Sequence, residues 1–378
     1  LTAFSKEQIR TGFILKAAAY AVVLFTFGNT LALGWNRYSD RPLSDSSSYP
    51  ALARYSSLFY DSGDREPVPV FLAKVFLSLG FKDELSVRLS TLFITLLGGA
   101  CYLFFSSRRF GFTAGITASF FMALNPLIGY YSVQGVNNQT AGIFLILFFF
   151  SLSAGQDSFP GRAVTVLLGA LTVLSRLEML LVVFLILLLD AFFSFSPART
   201  GRNAFLFLSV FLLASPYLVY QKRRFGHPLY THRLHARFWQ NTRLGVPPEG
   251  NRYRGGELGL KEFIVRKKLT EAPVDMLKGY IKAFSHYLPR IFGSTALLIF
   301  FWAGFLRSLF AERIYYCAVF LSILFPISFI LPLDQAYRNS GVELRFLLPA
   351  LWFSFLFAGL GAEWLFSFCR TAFKKRTA

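Results

Sequence analysis

The feature that most constrains this chain is a series of apolar stretches repeated along its whole length. A helix of ~20 mostly apolar residues crosses a bilayer, and a shorter one suffices where it is broken or shielded by protein. Such stretches lie at 13–35, 87–105, 112–131, 140–154, 162–175, 177–195, 203–220, 293–310, 314–333 and 345–368. The stretches at 140–154 and 162–175 are short and read as partial or shielded crossings. The pair meeting at Ser175–Arg176 is alternatively one broken helix. The expectation is an all-α polytopic membrane protein of about ten transmembrane helices, forming a single domain over 1–378.

Charge sets the orientation. The chain carries 39 Lys and Arg against 20 Asp and Glu, a formal charge of +19, yet 54% of its 378 residues are apolar and 46 are Phe. A soluble nucleic-acid binder matches the charge but not the apolar content, and a disordered basic tail lacks the Phe and Leu. Three scattered cysteines, Cys101, Cys317 and Cys369, do not make a disulfide scaffold. With the N-terminus cytoplasmic, the short inner loops and the tail hold Lys6, Arg10, Arg108, Arg109, Arg162, Arg199, Arg202, Arg307, Arg313, Arg370, Lys374, Lys375 and Arg376. Glu7, Asp157 and Glu312 oppose them. This positive-inside pattern puts both termini in the cytoplasm, and a bacterial inner membrane is the expected location. The first apolar stretch exceeds the ~7–15 residues of a signal-peptide core, so it is read as a retained span.

Two polar segments, 36–86 and 221–292, remain on the external side. The second carries fifteen basic residues against five acidic ones, about half of the chain's excess, together with all four histidines. A basic segment beside a membrane attracts anionic headgroups or a phosphorylated lipid. His232 and His235 flank Arg233 at helical spacing. With no cysteine nearby and no HExxH pattern, His232 and Arg233 read as phosphate-facing rather than as metal ligands.

The first segment is built differently. From Tyr49 to about Phe59 its pattern suits a short amphipathic helix, with Asp45 or a neighbouring serine as its cap. A second amphipathic stretch, from Val70 to Phe81, suits the membrane interface. Asp45 is thus either a cap or a carboxylate held at the membrane surface.

The residues here carry a resemblance. Asp45-x-x-x-Tyr49, then Ala53-Arg54, then Gly63-Asp64-Arg65-Glu66-Pro67 resembles the first external loop of GT-C-type glycosyltransferases, in the protein mannosyltransferase and aminoarabinose transferase branch. Asn125-Pro126, Tyr131-Ser132, Ser175-Arg176-Leu177-Glu178, Phe225-Gly226-His227-Pro228 and Arg345-Phe-Leu-Leu-Pro349 follow in the family's order. Two positions depart from the pattern. Ser46 stands where the family has the Glu of D-E-x-x-Y, and Asn138 stands where many members carry a second acid.

The resemblance implies sugar transfer from a polyprenyl-phosphate donor to a lipid, glycan or protein acceptor on the external face, with inversion at the sugar carbon. It implies no nucleic-acid partner. Asp45 is the expected base, with Glu66 and Asp40 in reserve. Arg176, Arg345, Arg233 and Arg65 are the expected phosphate partners, because the guanidinium fork matches phosphate oxygens. Tyr49, Arg54, Asn138, Glu178 and His232 complete the expected binding set. No cofactor is called for; a divalent metal stays an alternative, weakened by the amide at 138. Other classes that fit part of the pattern are a secondary transporter and a ligase-type or non-catalytic glycan assembly protein. The concentration of ionisable residues at one face, with few at the bilayer midplane, favours interfacial chemistry over transport.

Overall fold

The computed structural model describes residues 6–43, 45–154, 158–226, 228–229, 271–310, 313–328 and 344–377, with backbone alone at 6–12, 45, 271–272 and 372–377. Every regular element among them is helical. Helix α1, Lys6–Tyr38, leads into the first loop, within the polar segment 36–86. There a 3-10 turn, Asp45–Ser48, continues directly into α2, Tyr49–Tyr55. Pro50 sits in the first turn of α2, where no backbone donor is missed. Ser48 precedes α2 but makes no capping bond, so the expected serine cap is replaced by the running turn. The helix stops at Tyr55, short of Phe59, because Ser56 turns extended. Helix α3, Pro67–Ser78, opens on a proline and begins three residues earlier than its hydrophobic pattern suggested.

The remaining helices are α4 Asp83–Phe110, α5 Phe112–Leu124, α6 Pro126–Ser132, α7 Asn137–Ser153, α8 Phe159–Ser175, α9 Met179–Ser194 and α10 Pro197–Phe225. After these come α11 Glu271–Lys282, α12 Leu288–Phe292, α13 Thr295–Phe310, α14 Ile314–Ser328 and α15 Leu348–Thr377. A π-turn, Ala283–Tyr287, joins α11 to α12, and a 3-10 turn, Leu344–Leu347, leads into α15.

Each of the ten expected stretches carries helix, but their lengths differ. By length and composition four helices suffice to cross a bilayer: α1 from Phe13, α4, α10 and the stretch 344–371. Helices α5 and α6 make a fifth if the pair, bent by 61°, counts as one crossing. The bend follows from Pro126, which has no N–H to continue the ladder. Asn125 covers the break: its side chain accepts from the Leu127 amide at 2.9 Å and donates to the Ile291 carbonyl at 2.9 Å. Helices α8, α9, α13 and α14 are apolar but shorter, at 15–17 residues.

Helix α15 is the axis of the bundle. Its apolar stretch is almost wholly buried, and α5, α7, α13 and α14 pack around it. Trp352, Phe353, Phe355 and Phe357 fill the space between. The α13–α15 crossing is close because Gly304 and Gly361 face it; an added Cβ would run into the Phe357 or Phe300 carbonyl. Gln139 on α7 joins this core, accepting from the Trp352 indole at 3.3 Å and facing Thr95 at 3.4 Å. The outside is apolar as well, with Phe25, Phe93, Leu97, Leu208 and Leu212 exposed. Such a surface suits lipid rather than water. Asp190, which had no expected partner, accepts from Asn203 at 2.8 Å and Arg202 at 3.1 Å and so ties α9 to α10.

Candidate active site

The motif residues meet at one end of the bundle. The first loop is held there by a stripe on α10. Residues 213, 217 and 221 are spaced by one helical turn and share a face. Tyr60 donates to the Leu213 carbonyl at 2.9 Å. Tyr217 donates to the Arg65 carbonyl at 2.9 Å, and Gln221 donates to the Gly63 carbonyl at 2.8 Å. Gly63 adopts φ +75°, a conformation glycine enters without a Cβ clash. The turn therefore presents Arg65 and Glu66 in a fixed order.

Glu66 begins α3 but does not cap it. Its side chain is buried and accepts from Asn137, in the first turn of α7, at 3.0 Å. Burial pushes its carboxyl above the ordinary range. Glu178 adds repulsion in the same direction, and Arg176 and Arg65 offset part of it. The acid of the first loop, the Arg-x-Glu turn between α8 and α9, and the head of α7 thus act on one another. Asn137, the neighbour of the Asn138 singled out in the sequence, is the amide that reaches this acid.

Arg176 and Glu178 pair across their turn. The Arg176 guanidinium also lies 5.0 Å from the centre of the Phe346 ring, and the Arg345 guanidinium lies 5.2 Å from the same centre. Two of the expected phosphate partners, 169 residues apart in sequence, therefore share one aromatic platform. Arg345 is only 4% exposed, so it does not reach outward along the chain surface as a snorkelling arginine would. Phe346 was not among the expected site residues; its position beside Arg345 was the only available signal.

The other expected residues take different places. Asp45 opens the 3-10 turn, and its side chain lies outside the description. Ser46 is fully buried and donates to the Gln134 carbonyl at 2.6 Å. Tyr49 is packed among Leu43, Ala53, Val70, Ala73 and Val87, in the core of the first loop. Arg54 is exposed and paired with Asp83. It lines a separate open cavity of about 750 Å³ with Asp40, Trp35 and Lys82. Asn138 is buried, and its amide nitrogen has no hydrogen-bond partner among the described residues. His232 and Arg233 lie outside the described residues.

One arginine that joins the site's loops went unnoticed in the sequence. Arg88 on α4, 3% exposed, donates to the Val133 carbonyl at 2.9 Å and to the Arg41 carbonyl. It also lies 3.4 Å from the Tyr38 carbonyl and from Glu84. It fastens the end of α1, the first loop and the turn between α6 and α7 to one point.

Among the described residues no group of three or more His, Cys, Asp and Glu side chains is arranged to hold a metal ion. The paired acids that are present, Glu66 and Glu178, are balanced by Arg176 and Arg65. Positions 46 and 138 supply a hydroxyl and an amide. The described residues do not fit a two-carboxylate metal site, and no step is assigned to one.

Residues 64–220 match the family described as dolichyl-phosphate-mannose-protein mannosyltransferase. The fold is similar to that of the archaeal oligosaccharyltransferase AglB from Archaeoglobus fulgidus, solved in complex with an inhibitory peptide and a dolichol-phosphate. The TM-score is 0.54 at 12% identity, over 96% of this chain and 52% of that one. This chain therefore spans about half the length of that structure. No curated protein matches it. The matched segment and the shared fold bear out the resemblance drawn from the motifs: the chain is an integral membrane protein whose residues 64–220, under half of its length, are similar to the dolichyl-phosphate-mannose-protein mannosyltransferase family.

Proposed function

We propose that this protein transfers a sugar from a polyprenyl-phosphate donor to an acceptor on the external face of the membrane. The observation that carries this reading is the pair of guanidinium groups, Arg176 and Arg345, on the Phe346 ring beside the buried Glu66. A leaving phosphate gains negative charge as its bond to the sugar breaks, and fixed cations in a water-poor site stabilise that charge. Arginine suits the task because its fork takes two oxygens at once.

In the proposed reaction the acceptor hydroxyl or amine attacks the sugar carbon while the carbon–oxygen bond to phosphate breaks. The acceptor proton passes to a carboxylate, and the electron pair leaves on the phosphate. Asp45 is the proposed base and Glu66 the reserve. A single displacement inverts the sugar carbon. The lipid tail lies against the Phe-rich helices. The chain is proposed to cross the membrane ten times, the short helices included, as one domain with both termini cytoplasmic, in a bacterial inner membrane. The family description and the dolichol-phosphate in the related structure support a lipid-phosphate donor and a protein or peptide acceptor for this chain.

The test is transfer from a lipid-phosphate sugar by the purified protein. Asp45→Asn is expected to abolish turnover while leaving donor binding intact; turnover like that of the wild type removes Asp45 as base. Arg345→Ala is expected to weaken donor binding, and unchanged affinity removes the clamp.

A further inference from the structure

We infer that the side-chain amides of Gln134 and Asn138, at the head of α7, donate hydrogen bonds to the phosphoryl oxygens of the lipid-linked ligand. The inference rests on the function proposed above and names further residues for its ligand. Gln134 is 3% exposed and Asn138 2% exposed, and among the described residues the amide nitrogen of each has no hydrogen-bond partner. The Arg176 Nε is buried in the same condition. A buried N–H left unpaired is costly, and native proteins rarely leave one without a reason. All three of these atoms are donors. Their complement is a group that only accepts, and phosphoryl oxygens are such a group.

The backbone adds to the site. Helix α7 runs for 17 residues, and the residue before it, Val136, has no side-chain acceptor to cap it. The positive end of its dipole favours a negative group there. The turn holding the Gln134 amide is set by Gly135 at φ +68° and by the Ser46 hydroxyl on the Gln134 carbonyl, and the Asn138 amide follows in the first turn of α7. Asn137, between them in sequence, is already engaged by Glu66. That contact joins the head of α7 to Arg65, Arg176 and Glu178 through one buried carboxyl. On this account the amide at 138 is a neutral anion reader, and an acid there would oppose the ligand.

The measurement is the affinity of the full-length protein in nanodiscs for a polyprenyl monophosphate. Asn138→Leu and Gln134→Met keep the volume and remove the donors. Each is expected to weaken binding about tenfold, the usual worth of a hydrogen bond to a charged group. Asn138→Asp is expected to weaken it further, with or without a divalent cation. Unchanged affinity in both apolar variants overturns the inference, as does tighter cation-dependent binding by Asn138→Asp. Gln134→Met carries the test alone should Asn138→Leu fail to fold. Phosphatidylglycerol and inorganic phosphate serve as competitors; displacement by either as effective as by polyprenyl phosphate overturns the lipid-linked assignment. If Arg176→Ala loses affinity while the amide variants do not, this inference fails and the proposed function stands. If the wild type does not bind, both fail.

Discussion

Replacing Arg88 with Met tests whether the first loop and the turn between α6 and α7 are held by one side chain. The substitution keeps much of the volume and removes every donor. The firm bonds lost are those to the Val133 carbonyl, 2.9 Å away and buried, and to the Arg41 carbonyl. Each hydrogen bond to a charged donor contributes ~1.5–3 kcal/mol, and a buried acceptor left alone carries its own desolvation cost. The Glu84 contact adds little, since that carboxylate is 64% exposed. Removing a buried charge returns part of the loss. The net expectation is about 3 kcal/mol of destabilisation. At ~2 °C per kcal/mol for a long chain, the unfolding midpoint falls by about 6 °C. The assay is thermal unfolding in detergent, with donor binding measured on the same sample. Arg88→Lys keeps the charge but not the fork, so it should fall between wild type and Arg88→Met. A midpoint within about 1 °C of wild type for Arg88→Met would refute the reasoning.

Three further outcomes are expected. Because the folded chain holds the Glu66 proton more tightly than the unfolded one, Glu66 lowers stability as pH rises through the window above its ordinary 4.5. Denaturation midpoints across pH should show Glu66→Gln matching wild type in acid and exceeding it above that window; parallel curves would contradict this. Tyr217→Phe removes the bond to the Arg65 carbonyl and should cost ~1 kcal/mol, with a larger rise in donor KM than fall in kcat. Equal losses in both would contradict a role confined to placing Arg65. Gly304→Ala should disrupt the α13–α15 crossing, read as loss of monodisperse protein in detergent, whereas Gly201→Ala, which meets nothing within 4 Å, should not.

The helices were legible because apolar stretches, prolines and glycines are local signals. Pro67 and Pro126 open helices, and Gly226 closes α10 at φ +81°. The number of full-length spans was less legible. A 15–17-residue helix crosses or falls short according to its neighbours, and neighbours are not written in its own sequence. The Arg176–Glu178 turn was legible as a pair, two residues apart. Its meeting with Arg345 was implied by their shared expected face, while the Phe346 ring between them was not. Arg88 looked like an ordinary flanking charge at a helix start, because its partners lie 45–50 residues away. Asn137 and Asn138 are identical neighbours in sequence, and only the rotation of α7 decides which one meets Glu66.

The central claim is chemical, and one measurement bears on it most directly. Purified protein in liposomes would be supplied with a panel of polyprenyl-phosphate-linked sugars, labelled in the sugar, and with hydroxyl- and amine-bearing acceptors. The account predicts that label moves to an acceptor with release of polyprenyl phosphate, and that Arg176→Ala suppresses this. Label that stays on its lipid, or crosses the bilayer with no covalent product, would contradict it.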